Sequence, residues 1–496
     1  MGTHARPSSE EELLSLEEAA DMLSVSKSTL YRMIDRRDVK GSKVGRQWRF
    51  SRADLRAYLD RGPQAVVLAT VPATEVDALL PSLAEASERL DLPLPAIEPT
   101  AGGEAKLQAY VLHIVRLAIT AAASDIHLMP ARQHVVVKVR IDGVLHDLCR
   151  IPSAAYPAVM GQVKQLAEMN VDERTIPQDG RIHFRFDDRD YDCRINVLPT
   201  VFGESAVLRI LDQSSVLIGV TRIGLTAEDQ ARLERWMQTP AGLVLATGPT
   251  GSGKTTTLYS CLTRIATPEK NTLTIEDPVE YQLPHTRQTS VSRRSGLTFA
   301  VALRAFLRQD PDVIMVGEMR DLETAEIVMQ AALTGHLVLS TLMPSNPVAA
   351  LTRLTDMGVE PFMVGSALIG VLSQRLVRKV CPHCCEPAAY AAELVEHVRE
   401  LAAQGGYTLP ADAQFYRGAG CDQCFRRGYR GRTGLFSLLD MTQPIRDALV
   451  RRAAQEDITR LAVAGGMRTF FADGIRKATE GLTTVDEVFR LTTTTG

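Results

Sequence analysis

The sequence predicts a multidomain α/β protein built around a parallel sheet. From about residue 220 onward, short apolar runs alternate with helical patterns, which is typical of parallel strands joined by helices. Residues 105–215 instead combine one amphipathic helix with short alternating strands, a pattern typical of a small α+β domain. The length of 496 residues also exceeds what one domain usually holds. We therefore expect a small α+β domain followed by a larger domain over residues 220–496.

The composition is that of an ordinary folded protein. Apolar residues make up 45% and charged residues 23%, which excludes a wholly disordered, collagen-like or disulfide-scaffold chain. The 56 Lys and Arg residues against 59 Asp and Glu give a net charge of −3, which excludes a globally basic protein that coats nucleic acid. No apolar run approaches the roughly 20 residues that span a bilayer, and the N-terminus lacks the apolar core of a signal peptide. We expect a cytoplasmic protein with no transmembrane segment.

Residues 12–62 form a compact basic unit at the N-terminus. A first helical pattern is followed by a polar turn in which Ser26 is placed to cap a second helix. Residues 44–50 then predict a β-hairpin, and residues 51–59 a closing helix. Between residues 27 and 61, eleven Lys and Arg residues stand against four acids, a local balance of +7. Such a patch suits contacts with phosphate groups.

Residues 63–104 differ sharply in composition from their surroundings. They contain six prolines and seven acidic residues, against the single basic residue Arg89. This composition predicts a hinge or spacer with one short helix between about Leu80 and Leu90. The alternative is that the acidic helix is a docking element.

A phosphate-binding loop follows the apolar strand Leu243–Thr247. The segment matches G-x-x-x-x-G-K-[ST] in full, and helix-forming residues continue to Ile265. Glycines let the loop curl until its backbone N–H groups and the positive end of the helix face a phosphate. Lys254 supplies charge to the β- and γ-phosphates of ATP, and the Thr255 hydroxyl is a Mg²⁺ ligand. The predicted nucleotide-binding residues are Gly248, Pro249, Thr250, Gly251, Ser252, Gly253, Lys254, Thr255 and Thr256.

Acidic residues follow two further apolar strands of this domain. Glu318 comes after the strand 312–316, and Glu276 and Glu280 come at the end of the strand 273–275. The carboxyl ends of strands in a doubly wound sheet are where ligands bind. Each acid is therefore a candidate for ordering or deprotonating the attacking water, with plain surface charge as the alternative. The sequence does not choose between Glu318 and Glu280 as the base.

Four of the eight cysteines form two C-x-x-C pairs. Cys381 and Cys384 are separated from Cys421 and Cys424 by 36 residues. Two such pairs supply four thiolates to a tetrahedral zinc ion, whereas a redox site usually has one pair. Four protein ligands leave no open position, so the zinc would be structural. Cys385 is an alternative ligand.

Taken together, these segments resemble the motor ATPases of type II secretion and type IV pilus assembly. The resemblance covers about residues 105–490 and rests on the order and spacing of several motifs. Two motifs resemble stretches of the family's second N-terminal domain, and three resemble its aspartate box, Walker B segment and histidine box. In chain order these motifs are residues 123–127, 176–181, 274–280, 310–321 and 334–342, the last containing His336.

The resemblance implies a P-loop NTPase with a RecA-like parallel sheet that works as a homohexameric ring. It also implies an inner-membrane platform protein as partner, with the chain peripheral to that membrane. The tetracysteine module, residues 378–436, is present in secretion and pilus-extension motors and typically absent from retraction motors, which implies assembly or secretion. Residues at the family's catalytic positions are expected to reach the nucleotide; these are His336, Arg194, Arg209, Arg304 and Arg308.

Three positions depart from the family pattern. Met343 stands where the histidine box usually has a second histidine, Met129 where glutamate is common, and Ser205 where arginine is usual. A methionine cannot donate a hydrogen bond or sense charge at the γ-phosphate. These changes leave the phosphate loop intact and predict a divergent, slow motor.

The N-terminal unit resembles the excisionase-type winged helix-turn-helix domains related to the MerR group. The resemblance implies a recognition helix in the major groove of DNA and a wing formed by the hairpin. The implied DNA-contacting residues are Lys27, Ser28, Thr29, Arg32, Arg46 and Arg49. A protein-binding adaptor, or a basic face that is merely solvated, are the alternatives.

Two functions from different classes follow. The first is an ATP-hydrolysing motor for type II secretion or type IV pilus assembly, with ATP and Mg²⁺ bound and structural zinc. The alternative is a DNA-binding regulator that uses the ATPase domain as a nucleotide switch.

Overall fold

The computed structural model describes residues 13–22, 41–44, 47–52, 55, 79–89, 103–187, 189–212 and 219–492. These residues comprise an N-terminal three-stranded unit, an α+β unit and a large α/β unit that carries the cysteine pairs. Within the described residues, no helix combines the length and the apolar character needed to cross a bilayer. The arrangement confirms the predicted fold class.

The N-terminal unit is an antiparallel sheet covered by one described helix. Its strands lie in the order β1-β3-β2, and Phe50 and Leu55 are fully buried in its small core. The predicted hairpin is present, because β2 and β3 pair antiparallel and Val44 lies opposite Gln47. The elements are β1 (Leu13–Leu14), α1 (Leu16–Met22), β2 (Ser42–Val44) and β3 (Gln47–Ser51). The predicted second helix, with Ser26, lies outside the described residues.

The short helix expected in the spacer is α2 (Leu80–Arg89). Leu83 and Ala86 are buried in the core of the α+β unit, so the helix packs there rather than standing free. Ser87 Oγ lies 2.9 Å from Nε2 of the buried His113. Burial lowers the pKa of His113, with the charge of Arg116 acting in the same direction, so the neutral ring is favoured.

The α+β unit is a six-stranded antiparallel sheet with helices on one face. Strands lie in the order β6-β5-β4-β9-β8-β7. Alternate residues of β5 are buried against the helices, as expected for a sheet with one open face. The helices are α3 (Gly103–Thr120) and α4 (Tyr156–Leu166). The strands are β4 (Ala123–Pro130), β5 (His134–Ile141), β6 (Val144–Pro152), β7 (Gln178–Phe186), β8 (Arg189–Thr200) and β9 (Gly203–Asp212).

The large unit is built on a seven-stranded sheet in the order β12-β11-β13-β14-β10-β15-β18. Every pairing is parallel except that of β15 with β18. The central strands are buried along their whole length, because helices cover both faces. These strands are β10 (Gly242–Thr247), β11 (Thr272–Glu276), β12 (Thr286–Ser290), β13 (Val313–Val316), β14 (Leu337–Leu342), β15 (Leu368–Val380) and β18 (Tyr429–Asp440).

Helices alternate with these strands and then close the unit at its C-terminal end. Those within the alternating part are α5 (Ala227–Gln238), α6 (Lys254–Ile265), α7 (Phe299–Phe306), α8 (Leu322–Leu333), α9 (Pro347–Asp356) and α10 (Pro361–Ala367). Between β15 and β18 lies an insert of a two-stranded sheet, β16 (Cys385–Ala388) and β17 (Phe415–Gly418), and α11 (Ala392–Gln404). The closing helices are α12 (Gln443–Val450), α13 (Gln455–Ala464), α14 (Phe470–Thr479) and α15 (Val485–Thr492).

Candidate functional site

The phosphate loop connects the buried strand β10 to the first turn of α6. Gly248 and Gly253 adopt φ values of +146° and +89°, which residues with a side chain rarely adopt. A Cβ on Gly248 would lie 2.3 Å from the carbonyl oxygen of Gln374. These two positions therefore require glycine, and the loop curls as the sequence predicts.

Lys254 folds back over this loop from the start of α6. Its Nζ donates to the carbonyl oxygens of Gly248 at 2.7 Å and Pro249 at 3.1 Å. Burial lowers the pKa of the Lys254 ammonium, and the negative charge of Glu318 opposes that shift. The ammonium is therefore held over the loop by two carbonyl oxygens and is subject to the charge of Glu318.

Two hydroxyls on the loop suit a phosphate and its metal ion. Thr255 is exposed at the first turn of α6, where a Mg²⁺ ligand is expected. Ser252 is 3% exposed, and its Oγ has no hydrogen-bond partner among the described residues. A buried polar group normally has a partner, so this hydroxyl fits an anion held by the loop.

Gln374 supports the loop from the neighbouring strand β15. Its Nε2 donates to the carbonyl oxygen of Ser252 at 2.7 Å, and its Oε1 accepts from Thr257 Oγ1 at 2.7 Å. The sequence analysis missed this residue, because it lies more than 100 positions from the glycines and belongs to no local motif. Only the pairing of β15 with β10 brings it there.

Glu318 follows β13, at the same carboxyl edge of the parallel sheet at which the phosphate loop follows β10. Its side chain is 16% exposed, and Oε2 accepts from Arg320 Nε at 2.8 Å. Arg320 also lies 3.5 Å from an oxygen of Asp277, at the end of the adjacent strand β11. Arg320 therefore lies between the two acidic strand ends.

Glu276 is the most buried of the candidate acids. Its carboxylate accepts from Thr274 Oγ1 at 2.7 Å, from Gln288 Nε2 at 3.1 Å and from the Tyr259 hydroxyl. Burial, together with that last hydrogen bond, raises the pKa of Tyr259, so its hydroxyl remains a donor. A carboxylate with three donors and 3% exposure is suited to fixing the strand end rather than to taking a proton from water.

Glu280 faces the α+β unit across the gap between the two units. Its Oε2 lies 2.9 Å from Arg194 Nη1, and Arg194 Nη2 donates to the carbonyl oxygen of Val279 at 3.1 Å. The structure therefore brings two of the predicted site residues, Arg194 and Glu280, into one ion pair.

Arg194 belongs to a row of charged residues on the open face of the α+β sheet. Cross-strand pairing joins Arg181 to Arg194, Arg194 to Arg209, Arg209 to Asp125 and Asp125 to Arg140. We call these five residues the arginine row. Four guanidinium groups and one carboxylate give the row a net charge of +3. Sequence reasoning found Arg194 and Arg209 but missed Arg181 and Arg140, since only the register reveals them.

Arg304 and Arg308 have other partners in this chain. Arg304 Nη2 lies 2.7 Å from Glu323 Oε1, and Arg308 Nη1 donates to the carbonyl oxygen of Arg304 at 2.7 Å. The partners of both side chains therefore lie on α7 and α8.

His336, a predicted catalytic residue, lies at the opposite edge of the sheet from the phosphate loop of the same chain. His336 precedes β14, and its carbonyl oxygen accepts from Gly242 N at the start of β10, whereas the phosphate loop follows the end of β10. Six residues at about 3.3 Å each put about 20 Å between the two edges. His336 Nδ1 instead lies 2.9 Å from the carbonyl oxygen of Ala331.

The other end of β14 does reach the loop. Met343 is 48% exposed, and its Sδ lies 3.9 Å from Thr250 Oγ1. The departure noted in the histidine box therefore falls beside the phosphate site, while the retained histidine lies at the far edge.

The four cysteines of the two pairs form a cluster whose sulfurs all lie within 4.8 Å of one another. Three of the separations are 3.9 Å for Cys381–Cys421, 3.8 Å for Cys384–Cys424 and 3.8 Å for Cys421–Cys424. A zinc ion with Zn–S distances of about 2.3 Å requires sulfurs about 3.8 Å apart. The cluster therefore fits tetrahedral zinc, and Cys385 is not part of it.

Backbone N–H groups also point at these sulfurs. Cys424 Sγ accepts from the amides of Cys421 and Gly428, both at 3.2 Å. Burial raises the pKa of the Cys424 thiol, but these amides, together with hydrogen bonds from the Cys421 and Cys384 thiols, outweigh burial and bring it down to about 6. Burial raises the pKa of the Cys381 and Cys384 thiols in the same cluster. The turn is thus arranged to stabilise a thiolate.

Only one of the predicted DNA-contacting residues is described. Arg49 lies on β3 of the hairpin, and its Nη1 donates to the carbonyl oxygen of Trp48 at 3.2 Å. The others, Lys27, Ser28, Thr29, Arg32 and Arg46, lie outside the described residues.

Two protein families match the chain. Residues 100–490 match the family described as Type II/IV secretion system protein, and residues 13–63 match a helix-turn-helix domain. The first match contains the phosphate loop, the arginine row and the cysteine cluster. Both resemblances drawn from the sequence are thereby confirmed.

Curated relatives carry secretion and pilus names. The type IV pilus assembly ATPase PilB of Thermus thermophilus is 45% identical over 410 residues, which is 82% of this chain and 45% of that protein. The chain therefore spans less than half the length of this relative. The type II secretion system protein E of Pseudomonas aeruginosa is 44% identical over 375 residues, 76% of this chain and 73% of that protein.

Solved structures with the same architecture include the pilus retraction motor PilT with bound ADP. It is 27% identical, with a TM-score of 0.52, and the match covers 77% of this chain and 96% of that one. The ATPase DotB of Legionella pneumophila matches 80% of this chain and 98% of its own at 19% identity, with a TM-score of 0.58, which supports the fold alone. On these grounds, the chain belongs to the type II/IV secretion system protein family and is an ATPase of the secretion and pilus-assembly class.

Proposed function

We propose that the chain is a homohexameric motor that hydrolyses ATP to power type II secretion or type IV pilus assembly at the cytoplasmic face of the inner membrane. The observation that carries this proposal is the phosphate loop after β10, with Lys254 held over it by the carbonyl oxygen of Gly248 and subject to the charge of Glu318. The names of the curated relatives support a secretion or pilus system. An inner-membrane platform protein is the proposed partner that receives the motion.

Binding would use groups that the loop already orients. Its backbone N–H groups and the N-terminal end of α6 face the β- and γ-phosphates, with Lys254 as the cation. The Thr255 hydroxyl would hold Mg²⁺, which neutralises phosphate charge when bound. Ser252 Oγ would gain the partner that the described residues do not supply.

Hydrolysis requires a carboxylate that can orient or deprotonate the attacking water. Of the three candidates, Glu318 suits this role best, because it is partly exposed and shares its electrostatic environment with Lys254. Glu280 is paired with Arg194 and would position that arginine. Glu276, saturated by three donors, would hold the end of β11.

The arginines suggest how subunits cooperate. Arg194 and Arg209 lie on the α+β face next to Glu280, where their charge can stabilise a transferring phosphoryl group. Arg304 and Arg308 have their contacts on α7 and α8, and we assign them to the nucleotide site of a neighbouring subunit in the ring. His336, about 20 Å from its own loop, is given no catalytic role in our proposal.

This ring proposal has a direct test. Light scattering during size-exclusion chromatography should give a mass of six chains for the species that hydrolyses ATP. Full activity in a monomeric fraction would contradict the proposal.

We propose that zinc fills the cysteine cluster as a structural ion. We expect about one zinc per chain by atomic absorption, and loss of most of it in Cys424→Ser, because three sulfurs no longer complete the tetrahedron. Cys385→Ser is the matched control, since Cys385 is adjacent but lies outside the cluster. Equal zinc loss in both variants would show that the ligand set is wrong.

A second function, DNA binding by the N-terminal unit, is favoured by the helix-turn-helix match and the basic wing. We expect the whole chain to shift duplex DNA in gels, with affinity that falls as salt rises and with Arg32→Ala or Arg49→Ala. Six copies in a ring would add avidity. Affinity indifferent to salt and to both substitutions would remove the electrostatic argument and leave an adaptor role.

A further inference from the structure

The tetracysteine module contacts the turn between β5 and β6 of the α+β unit. Asp142 lies at this turn, its carboxylate is 12% exposed, and Oδ2 accepts from the backbone amide of Gly431 at 3.0 Å. Arg432 Nε lies 3.9 Å from Asp142 Oδ1. One carboxylate therefore meets both an amide and a guanidinium group of the segment that follows the last cysteine pair.

A second contact connects the same hairpin to the metal ligands themselves. Arg427 Nε donates to the carbonyl oxygen of Cys424 at 3.1 Å, and its Nη1 lies 3.3 Å from His146 Nε2. Cys424 is one of the four proposed zinc ligands. The position of Arg427, and through it that of the hairpin, depends on the turn that the metal would hold.

From this hairpin, polar contacts continue along the arginine row. Arg140 Nη1 donates to the carbonyl oxygen of Gly143 at 3.0 Å, and Arg140 Nε lies 3.8 Å from Asp125. The other oxygen of Asp125 accepts from Arg209 Nε at 3.0 Å. Asp125 is 6% exposed, so this centre of the row is shielded from solvent.

The row ends at the nucleotide site. Arg209 pairs across the strands with Arg194, which contacts Glu280 at 2.9 Å and the carbonyl oxygen of Val279 at 3.1 Å. Two groups of polar contacts thus connect the α+β unit to the ATPase unit, one at the cysteine module and one at the acidic strand end. The antiparallel sheet between them is continuously hydrogen-bonded and therefore stiff.

We propose that Asp142 is a positioning residue. Its contacts with Gly431 and Arg432 let the zinc-bound module set the orientation of the α+β sheet. The orientation of the sheet in turn determines where Arg194 lies relative to Glu280. Zinc would supply rigidity to the turn that carries Arg427. The inference rests on the proposed function, in which Arg194 and Glu280 serve the nucleotide site. It assigns to the module an effect on catalysis without any contact with substrate.

The first test compares variants of Asp142 in the whole chain. In Asp142→Ala we expect faster hydrogen exchange in peptides covering 141–146, 428–432 and 277–281. We also expect a fall in kcat of about tenfold to a hundredfold, as for misplaced catalytic groups, with unchanged affinity for ATP. Asp142→Asn should show wild-type hydrogen exchange and wild-type kcat. The side-chain oxygen of asparagine can still accept from Gly431, and asparagine tolerates the φ of +51° at this position. Asp147→Ala, an exposed residue paired with Lys138 on the same hairpin, is the control.

The second test removes zinc with a chelator and then restores Mg²⁺. If the module acts through Asp142, zinc removal should accelerate exchange in the same peptides and lower kcat. Its effect combined with Asp142→Ala should be smaller than the sum of the two separate effects, because the contact at Asp142 transmits part of the effect of zinc and the contact of Arg427 with His146 transmits the rest. Independent, additive effects would overturn the proposal, as would unchanged exchange at 277–281 in Asp142→Ala. A wild-type chain that fails to hydrolyse ATP would contradict the proposed function. Hydrogen exchange does not depend on ATP turnover, so it would still test whether Asp142 affects residues 277–281.

Discussion

Replacement of Lys254 by alanine should abolish ATP turnover. The ammonium is held over the phosphate loop by two carbonyl oxygens and lies within the electrostatic influence of Glu318. Loss of one preorganised charge at a developing anion costs about 10²–10³ in kcat, and here the same cation also contributes to binding. Phosphate release by Lys254→Ala should therefore fall by about a hundredfold or more.

The matched control for this variant is Lys270→Ala. Lys270 is exposed and follows the C-terminal end of α6, so its replacement by alanine removes one positive charge far from the phosphate loop. It should retain wild-type turnover. If Lys254→Ala hydrolyses ATP at the rate of Lys270→Ala, the phosphate loop is not the site of hydrolysis.

Replacement of Glu318 by glutamine should separate binding from chemistry. Glutamine keeps the length of the side chain and an oxygen that can accept from Arg320. It removes the charge that orients or deprotonates water, and general-base catalysis contributes about 10²–10⁴-fold. We expect nucleotide affinity close to that of the wild type and hydrolysis slower by about that factor.

Binding by fluorescence anisotropy and phosphate release should be measured on the same preparation. Glu326→Gln, an exposed acid on α8, controls for the loss of one negative charge nearby. Weak binding together with normal turnover in Glu318→Gln would contradict the role proposed for Glu318. Glu280 would then be the candidate for the residue that orients or deprotonates the attacking water.

Local chemistry made the phosphate loop and the cysteine cluster predictable. In both, the spacing of a few residues within one or two turns determines the geometry, so Lys254 and the four cysteines lie where the sequence placed them. The hairpin at Val44 and Gln47 is predictable for the same reason.

Features that depend on contacts between segments distant in the sequence could not be predicted from local patterns. The arginine row exists because five strands align in one register. Arg140 belongs to none of the motifs, and the motif 176–181 contains Arg181 but does not show that it lies beside Arg194. His336 and Met343 belong to one short motif, yet a whole buried strand puts them at opposite edges of the sheet. Helix α2 lies in an acidic, proline-rich segment, but Leu83 and Ala86 are buried against another unit.

The most direct test of the account is calorimetric titration of the full chain with a non-hydrolysable ATP analogue in the presence of Mg²⁺. We predict saturable binding in the wild type that is lost or strongly weakened in Lys254→Ala. Absence of any binding heat across several temperatures, with the oligomer intact, would contradict the claim that this loop holds a triphosphate.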